Sequence, residues 1–593
     1  MSEEQKPVES SAPVLHPYCV ALYHVFVLYA LYEQQTPIDA LLRPALISVA
    51  LTALVLFGMR MLLGDRHKAG VFTSFLVVGL LIGWTILEST IRSLQPVLVY
   101  LPSPYGVYAG ATVIAVITSW FFFRDVAPGR ARKLMLAIAA FSVMNAVLAE
   151  GLFIRFFGRA DAWFIATYLV GMLGSFLLLR RYKTDYASWT GNLNRFGGIL
   201  VVLAVAIVAL HVPRVERITP AVFSDTVPDS AAQTGIDQMP DIYFLVLGGY
   251  GRSDMLRSVY GYDNTPFIRE MESRGFREVG LSMSNYNSPV LSLASCMNME
   301  YLQDLVTDPK ARASASLLSV AELFHHNRVY NYLKRRGYEL IALPPGLELL
   351  EPRPDIVRPV TPPAYLNEFE TVLLDNTVAT RVVQVGSALG LTPAGDFQSI
   401  RERDRIRFVF DSVAEFSAVQ QSAPRFVLAP VGVPEAPFLF SEDGAWNRET
   451  FLRSYRPGET YRGSKLSYIQ SYLKQLTFTN EMIKKTVDAI QSQSKRPAVI
   501  VLASLNGPRS QRQGRQRTDV DMVEEYSNFV MVYFPPQYEG VNSMDWRAMS
   551  LVNLFRRVFN GVFQAEFEPR PNAQYISSEE QPLELHQATF AKP

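Results

Sequence analysis

The sequence contains few cysteines, the residues whose disulfide bonds stabilise many small proteins. Its 593 residues include two cysteines, Cys19 and Cys296, and two cysteines cannot form a disulfide framework. Lysine and arginine almost balance aspartate and glutamate, which leaves a net charge of +1. Bulk charge therefore gives no support to a nucleic-acid partner. The length is too great for one compact domain and predicts several units.

Histidine is scarce in the second half, where metal chemistry would need it. Of seven histidines, only His325, His326 and His586 lie beyond residue 240. His325 and His326 are neighbours on a predicted helix, so their side chains point in different directions. Metal sites need side chains that converge from several elements. We therefore expect no metal and no other cofactor.

Long apolar runs, by contrast, are abundant in the first part of the chain. Residues 1–12 are polar and lack the features of a removable signal peptide. Seven runs of about the 20 residues that a bilayer requires then follow, at 17–34, 43–63, 70–89, 105–123, 134–154, 161–179 and 196–212. Buried helices of a soluble protein rarely give so many such runs in succession. The pattern predicts a polytopic α-helical membrane domain over 17–212, after a cytoplasmic tail at 1–16.

Basic residues between the predicted spans set the orientation. The even-numbered loops are the more basic, with Arg60, Arg66 and Lys68, then Arg124, Arg130, Arg132 and Lys133, then Arg180, Arg181, Lys183 and Arg195. Loops rich in lysine and arginine stay in the cytoplasm. Seven spans then place everything after Val212 outside the cytoplasm, and one miscounted span would reverse this. Because the spans carry few charged residues, a transporter or channel subunit is disfavoured.

The second half has a different pattern. Residues 213–240 are rich in Pro, Ser, Thr and Asp and are interpreted as a linker. Within 241–593, short apolar runs alternate with amphipathic stretches. The predicted strands are 241–248, 338–346, 425–433, 498–505 and 529–535, and the predicted helices are 262–275, 319–336, 403–420 and 462–492. This alternation indicates an α/β domain with a mostly parallel sheet, whose sites lie beyond the carboxyl ends of the strands.

A glycine-rich turn, "LGGYGRSD", follows the first predicted strand. Such a turn can hold a dinucleotide, but this one lacks the third glycine and the acidic residue that should follow about twenty residues later. A dinucleotide site is therefore disfavoured.

Several segments resemble the membrane-anchored sulfatase-like proteins of the alkaline phosphatase superfamily. They are "PDIYFLVLGGYGRSDMLRSVYGYDN", "SNYNSPVLSLASCMNMEYL", "RFVLAPVGVPEAPFLF", "SYIQSYLKQLTFTNEMIKKTVDAI", "VIVLASLNGP" and "NLFRRVFNGVF", in the order of the family. The resemblance implies an alkaline-phosphatase-like outer domain after the membrane helices. It also implies, for active members, one or two divalent metals and a Ser, Thr or modified Cys nucleophile, which together promote attack on a phosphate or sulfate ester.

The positions to which the resemblance assigns this chemistry carry unsuitable residues. The family's metal ligands fall on Gly248, Pro430, Glu435, Leu505 and Asn506. The nucleophile falls on Pro289, and Ser288 would replace it only after a slip of one residue. Gly, Pro and Leu cannot bind a metal through their side chains. The resemblance therefore implies a degenerate site.

Four arginines follow the last of these positions, in "PRSQRQGRQR". Arg509, Arg512, Arg515 and Arg517 could clamp an anionic glycan, a lipid headgroup or an acidic partner, because guanidinium groups pair with such anions. The alternative is a solvated loop.

The sequence leaves two functions open. The first is an integral membrane pseudoenzyme, with an inactive sulfatase-like outer domain that acts as a binding or scaffold component of a cell-envelope assembly. Its partners would be the lipid bilayer and other membrane or envelope proteins. The second is a metal-dependent sulfatase-like hydrolase, or a phospho- or sulfo-group transferase, with a rearranged active site. Both place the protein in the plasma (inner) membrane with an extracytoplasmic or periplasmic domain.

Overall fold

The structure is a computed structural model. It describes residues 12–32, 38–77, 186–211, 239–362, 366–375, 397–447, 464–510, 518–538, 544–578 and 581–589, with short pieces between 172 and 181 and single residues at 377, 383 and 386. The chain forms two compact units. The first comprises 1–33, 38–212 and 369–397, and the second comprises 34–37, 213–368 and 398–593.

The first unit is helical in its described part. Its long helices are α1 (His16–Tyr32), α2 (Leu42–Leu63), α3 (Arg66–Val77) and α4 (Tyr186–His211). They coincide with the predicted spans 17–34, 43–63, part of 70–89 and 196–212. The predicted spans 105–123 and 134–154 lie outside the described residues. In the described part, one helix, Ile38–Leu63, is long and apolar enough to cross a membrane.

Two of these helices expose large apolar side chains. On α2 they include Leu46, Leu54 and Phe57, and on α4 they include Ile199 and Val202. Contiguous exposed apolar surface is rare on water-soluble monomers. These surfaces are suited to contact with lipid, in agreement with the apolar runs of the sequence.

A short segment from later in the chain belongs to this helical unit. Helix Glu368–Asp375 places Phe369 and Val372 in an apolar cluster with Val25, Tyr29 and Val208, and the rings of Tyr29 and Phe369 meet edge to face. Arg43 forms a two-pronged ion pair with Glu370. The sequence patterns gave no sign of this packing.

The second unit is built around a seven-stranded sheet. Its strands are β1 (Asp241–Gly248), β2 (Phe276–Glu278), β4 (Glu339–Ala342), β5 (Arg358–Pro359), β6 (Arg425–Pro434), β7 (Ala498–Ser504) and β8 (Val530–Tyr533), in the spatial order β2-β8-β7-β1-β6-β4-β5. The pairs among β7, β1, β6, β4 and β5 are parallel, and β8 pairs antiparallel with β7 and with β2. The predicted α/β domain with a mostly parallel sheet is confirmed. Two small sheets pair β3 (Leu281–Met283) with β9 (Ala548–Ser550), and β10 (Tyr575–Ile576) with β11 (His586–Gln587).

Helices cover both faces of the large sheet. The helices between residues 253 and 563 are α5 (Ser253–Tyr260), α6 (Thr265–Ser273), α7 (Pro289–Asn298), α8 (Leu302–Leu305), α9 (Pro309–Ala313), α10 (Leu317–His325), α11 (Arg328–Arg335), α12 (Glu368–Asp375), α13 (Phe397–Ala418), α14 (Lys465–Gln493), α15 (Asp519–Tyr526) and α16 (Leu554–Phe563). Of these, α12 packs in the first unit. Phe244 of β1 packs on one face with Phe555 of α16, and Leu245 packs on the other with the core side chains of α13 and α14. Burial on both faces explains why β1, β6 and β7 read as continuous apolar runs.

Candidate functional site

The carboxyl ends of three central strands meet at one edge of the sheet. Gly248 at the end of β1 pairs with Pro434 of β6, and Leu247 pairs with Ser504 of β7. The next residues of these strands therefore converge in space, as expected for an α/β sheet. This edge brings together four of the predicted site residues, namely Gly248, Glu435, Leu505 and Asn506.

Gly248 occupies a place that is closed to any side chain. A Cβ atom on this residue would lie 2.3 Å from the carbonyl oxygen of Gly432. Gly432 itself has a positive φ of 79°, which favours glycine. The backbone of β6 thus fills the space that a ligand side chain from the end of β1 would need.

A buried ion pair fixes the backbone of β6 in this position. Arg405 of α13 is 1% exposed and forms an ion pair with Glu402, one turn earlier on the same helix. Its guanidinium also donates to the carbonyl oxygens of Pro344, Pro430 and Val431. Pro430 therefore contributes its backbone to this network, and its ring lines an apolar cavity together with Leu293 and His325. It does not join the other predicted site residues.

Glu435 and Asn506 are the two polar members of the edge, and both are buried. The Nδ2 atom of Asn506 lies 3.5 Å from Oε1 of Glu435 and donates to the carbonyl oxygen of Gly507 at 2.9 Å. Its Oδ1 atom has no hydrogen-bond partner among the described residues. The pair supplies one carboxylate and one amide to the edge.

Neutral hydroxyl groups occupy the adjacent space. The Tyr472 hydroxyl donates to the carbonyl oxygen of Gly249, and the Tyr250 hydroxyl donates to Oδ1 of Asn480. The Ser504 hydroxyl accepts from the backbone N–H of Tyr250. Burial raises the pKa of both Tyr250 and Tyr472 far above the usual range, so both tyrosines stay neutral.

Glu524 is a second carboxylate at this edge, and its hydrogen-bond partners also lie within the protein. The Tyr260 hydroxyl and the backbone and hydroxyl of Ser510 donate to Glu524. Burial raises the pKa of the Glu524 carboxyl, while these hydrogen bonds oppose the shift. Glu524 thus has its partners within the fold.

Pro289 and Ser288 lie where α7 begins. Pro289 is the first residue of the helix, where proline is favoured because its missing N–H would be unpaired anyway. Ser288 precedes it and is partly exposed. In the described part of the chain, the Ser288 hydroxyl has no hydrogen bond to a base that could activate it.

Arg509 is part of the wall of this edge. It is 6% exposed, its Nε atom lies 3.3 Å from Oε1 of Glu525, and its Nη2 atom donates to the carbonyl oxygen of Asn287. Arg512, Arg515 and Arg517 lie outside the described residues, so anion binding by this segment stays a prediction.

The residues of the edge do not fit the divalent metals that the resemblance implies. Gly248 has no side chain and no room for one, and Leu505 offers only carbon atoms. No group of three or more His, Cys, Asp or Glu that could hold a metal ion occurs within the described ranges. The Glu435 carboxylate beside the Asn506 amide falls short of the converging ligands that such ions require, and Glu524 has its partners within the fold.

Two comparisons with known proteins gave no match. No protein-family model matches the sequence, and no curated protein matches it.

Several solved structures resemble this one in backbone fold. One is the zinc complex of the C-terminal periplasmic domain of EcEptC from Escherichia coli, with 9% identity, a TM-score of 0.39, and coverage of 61% of this chain and 95% of that chain. Another is the integral membrane lipooligosaccharide phosphoethanolamine transferase A from Neisseria meningitidis, with 12% identity, a TM-score of 0.36, and coverage of 93% and 94%. A third is an alkaline phosphatase superfamily protein from Vibrio parahaemolyticus, with 8% identity, a TM-score of 0.33, and coverage of 61% and 79%. At TM-scores this low, the likeness decides neither family nor activity.

Sequence reasoning missed the residues that close the edge. Arg405 lies on the predicted helix 403–420 and Glu402 lies three residues earlier, just before its predicted start; this spacing also suits a solvated ion pair. Their burial depends on Pro344 and Val431, which are distant in sequence. Tyr250 lies in the glycine-rich turn directly after β1. An aromatic residue at the end of a strand could have indicated that a bulky neutral side chain fills this space.

Proposed function

We propose that this protein is an integral membrane protein whose outer α/β unit has lost metal-dependent catalysis and acts as a binding or scaffold component of the cell envelope. The observation that carries the proposal is the contact between Gly248 and the Gly432 carbonyl. A ligand side chain at the end of β1 would require the β6 backbone to move, and Arg405 holds that backbone through two of its carbonyl oxygens, those of Pro430 and Val431.

The chemistry of the edge supports the same proposal. Loss of the metal ligands leaves neutral tyrosines, an amide and a few internally paired carboxylates around the strand ends. Hydrolysis of a phosphate or sulfate ester needs an activated nucleophile and positive charge on the developing oxyanions. Within the described residues the Ser288 hydroxyl has no hydrogen bond to a base, and Arg509 already pairs with Glu525.

Metal analysis and turnover test the proposal together. The detergent-solubilised full-length protein is expected to contain less than stoichiometric zinc, manganese and calcium, and these ions are expected not to raise its melting temperature. It should also fail to hydrolyse aryl phosphates and aryl sulfates. Stoichiometric metal, or turnover that Ser288→Ala abolishes, would overturn the proposal.

The second candidate is a phospho- or sulfo-group transferase or hydrolase with a rearranged site. The partly exposed Ser288 at the amino end of α7 favours it, and the names of the structures from Escherichia coli and Neisseria meningitidis refer to a zinc complex and a phosphoethanolamine transferase. Covalent labelling tests it. A phosphorylated or sulfated Ser288 peptide, recovered after incubation with a donor and absent from Ser288→Ala, is expected if this candidate is correct.

A further inference from the structure

Helix α16 ends earlier than its sequence requires. It stops at Phe563, yet the next five residues, "QAEFE", include glutamine, alanine and glutamate, which favour helix, and no proline occurs before Pro569. Gln564 and Glu566 instead have positive φ values of 54° and 56°. Residues other than glycine rarely adopt this left-handed conformation, because Cβ then lies too close to the following carbonyl oxygen. The turn after α16 is therefore strained.

Contacts on both sides of the turn hold the chain in this conformation. Within α16, Asn560 donates from Nδ2 to the carbonyl oxygen of Phe567 at 2.9 Å and accepts from its N–H at 2.7 Å, and Arg556 donates to the carbonyl oxygen of Glu568. Beyond the turn, residues 569–578, which we name the docked segment, pack on the residues that precede α7. The strained turn thus depends on where the docked segment binds.

The docked segment binds in the manner of an added strand. Tyr575 forms a parallel bridge with Tyr286, its N–H donates to the carbonyl oxygen of Asn285 at 2.8 Å, and the rings of the two tyrosines stack at 5.9 Å. Asn287 donates from Nδ2 to the carbonyl oxygen of Ser577 at 3.0 Å and accepts from the Ser577 N–H at 3.1 Å. These paired hydrogen bonds fix the register of the docked segment.

Further hydrogen bonds hold the middle of the docked segment. The carbonyl oxygen of Ala573 accepts from Nδ2 of Asn285 at 2.9 Å, and its N–H donates to the Tyr301 hydroxyl at 2.9 Å. The Tyr526 hydroxyl donates to the carbonyl oxygen of Tyr575 at 2.7 Å. Asn285 is fully buried, so loss of the docked segment would leave its amide unpaired at a high cost. The same segment from a second copy of this chain would reproduce all of these contacts.

We propose that two copies of this chain exchange the docked segment, so that residues 569–578 of each copy bind to residues 285–287 of the other. In the exchanged form α16 continues through residues 564–568, which removes both left-handed conformations. The contacts of the docked segment then form again between the copies. Exchange of an identical element is a low-cost route to dimers, and short strained hinge loops favour it.

The exchange would also reach the candidate site. The carbonyl oxygen of Asn287 accepts from Arg509 in the wall of the edge, and Ser288 follows Asn287 directly. Because Ser577 of the docked segment holds the Asn287 side chain, each copy would complete the wall of the other's edge. The second copy is thus a partner that contributes to the site.

Photocrosslinking between two copies tests the proposal. One tagged copy carries Tyr575→p-benzoylphenylalanine and is co-expressed with a copy that has a different tag and the native Tyr575. After detergent solubilisation and irradiation of the full-length protein, we expect an adduct between the two copies. It should form on the peptide that contains Tyr286 and Tyr301, whose rings lie 5.9 and 5.5 Å from that of Tyr575. Adducts confined to one chain, or adducts between copies on other peptides, would overturn the proposal.

Substitutions in the turn test the cause of the exchange. Gln564→Gly combined with Glu566→Gly should lower the yield of the adduct between copies at least about tenfold, because glycine adopts the left-handed conformation without strain and is a poor helix former. Asn560→Ala should raise the yield, because the turn loses its local hydrogen bonds. Glu584→Gly is the matched control, since Glu584 is exposed and lies outside the turn, and it should leave the yield unchanged. Equal yields from the wild type and the variant with both turn substitutions would contradict the proposal.

A second measurement applies if the Tyr575 variant does not fold. Two wild-type copies that differ only in their tags should co-purify, and copies with both turn substitutions should lose most of this association. Wild-type copies that do not co-purify would refute the exchange. Neither the metal content nor the labelling of Ser288 affects this result.

Discussion

The carbonyl oxygen of Gly432 lies 2.3 Å from the position that a Cβ atom of Gly248 would occupy. Glycine at the end of β1 is thus a requirement of the present backbone. A single substitution cannot place a metal-ligating side chain at this position unless the end of β6 moves away.

The closure of the edge predicts a specific sensitivity. Gly248→Ala should lower the free energy of unfolding by about 1–3 kcal/mol, the usual range for overpacking a tight site, and Gly248→Asp should lower it further. Gly280→Ala is the control, because its nearest neighbour would be the Arg547 carbonyl oxygen at 3.9 Å. Urea unfolding followed by tryptophan fluorescence measures both. Equal stability of Gly248→Ala and Gly280→Ala would show that the edge can open.

The buried ion pair of Arg405 and Glu402 predicts an asymmetric mutational result. Arg405→Met should destabilise the protein by about 3–5 kcal/mol, because Glu402 would be left charged in the interior. Arg405→Met combined with Glu402→Leu should recover part of this loss. Thermal unfolding of the two variants compares them, and a single variant as stable as the double variant would contradict the role assigned to Arg405.

Asn506 and Glu435 give a prediction for pH. Asn506→Asp would place two carboxylates side by side, and like charges raise the pKa of one of them in the folded state. Since that pKa would exceed its unfolded value, the variant's stability should fall as pH rises from 5 to 8, in contrast to the wild type. Melting temperatures across this range measure the effect. Adding Glu435→Gln should reduce the pH dependence, because only the effect of burial on the new carboxyl would remain; a dependence of unchanged size would mean that the two side chains do not interact.

His325 makes stability depend on pH in the opposite direction. Burial, with a smaller contribution from Arg353, lowers its pKa from 6.5 to about 4. Between these values the unfolded chain binds a proton that the folded protein does not, so stability should fall by up to about 3 kcal/mol as pH drops from 6.5 to 4. Unfolding titrations of His325→Leu should show a smaller pH dependence than those of His326→Leu, whose native side chain is 48% exposed. Identical pH profiles for the two variants would contradict this assignment.

The sequence predicted the central strands well because burial on both faces leaves an unmistakable pattern. β1, β6 and β7 follow their apolar runs to within two residues. The strands β2, β3 and β5 were missed, because two or three residues are too few to establish a period. The predicted helix at 319–336 is two helices, α10 and α11, separated at His326–Asn327.

The candidate site was predicted in part. The resemblance placed Gly248, Glu435, Leu505 and Asn506 at one edge, and the register of the strands brings them there. The burial of Arg509 could not be foreseen, because its partners Asn287 and Glu525 come from different elements. The contact between Glu300 and Arg570 was missed for the same reason, since the two residues are 270 positions apart in the sequence.

The packing of Phe369 and Val372 among the helices of the first unit limits where this protein can be truncated. A polypeptide that began at Pro213 would retain both side chains but lose Tyr29 and Val208, which cover them. Such a truncated protein would expose an apolar surface and would tend to aggregate during purification. Replacing residues 369–397 with a short polar linker would remove that surface. When both truncated proteins are secreted, the one without residues 369–397 should be more monodisperse than the one that retains them.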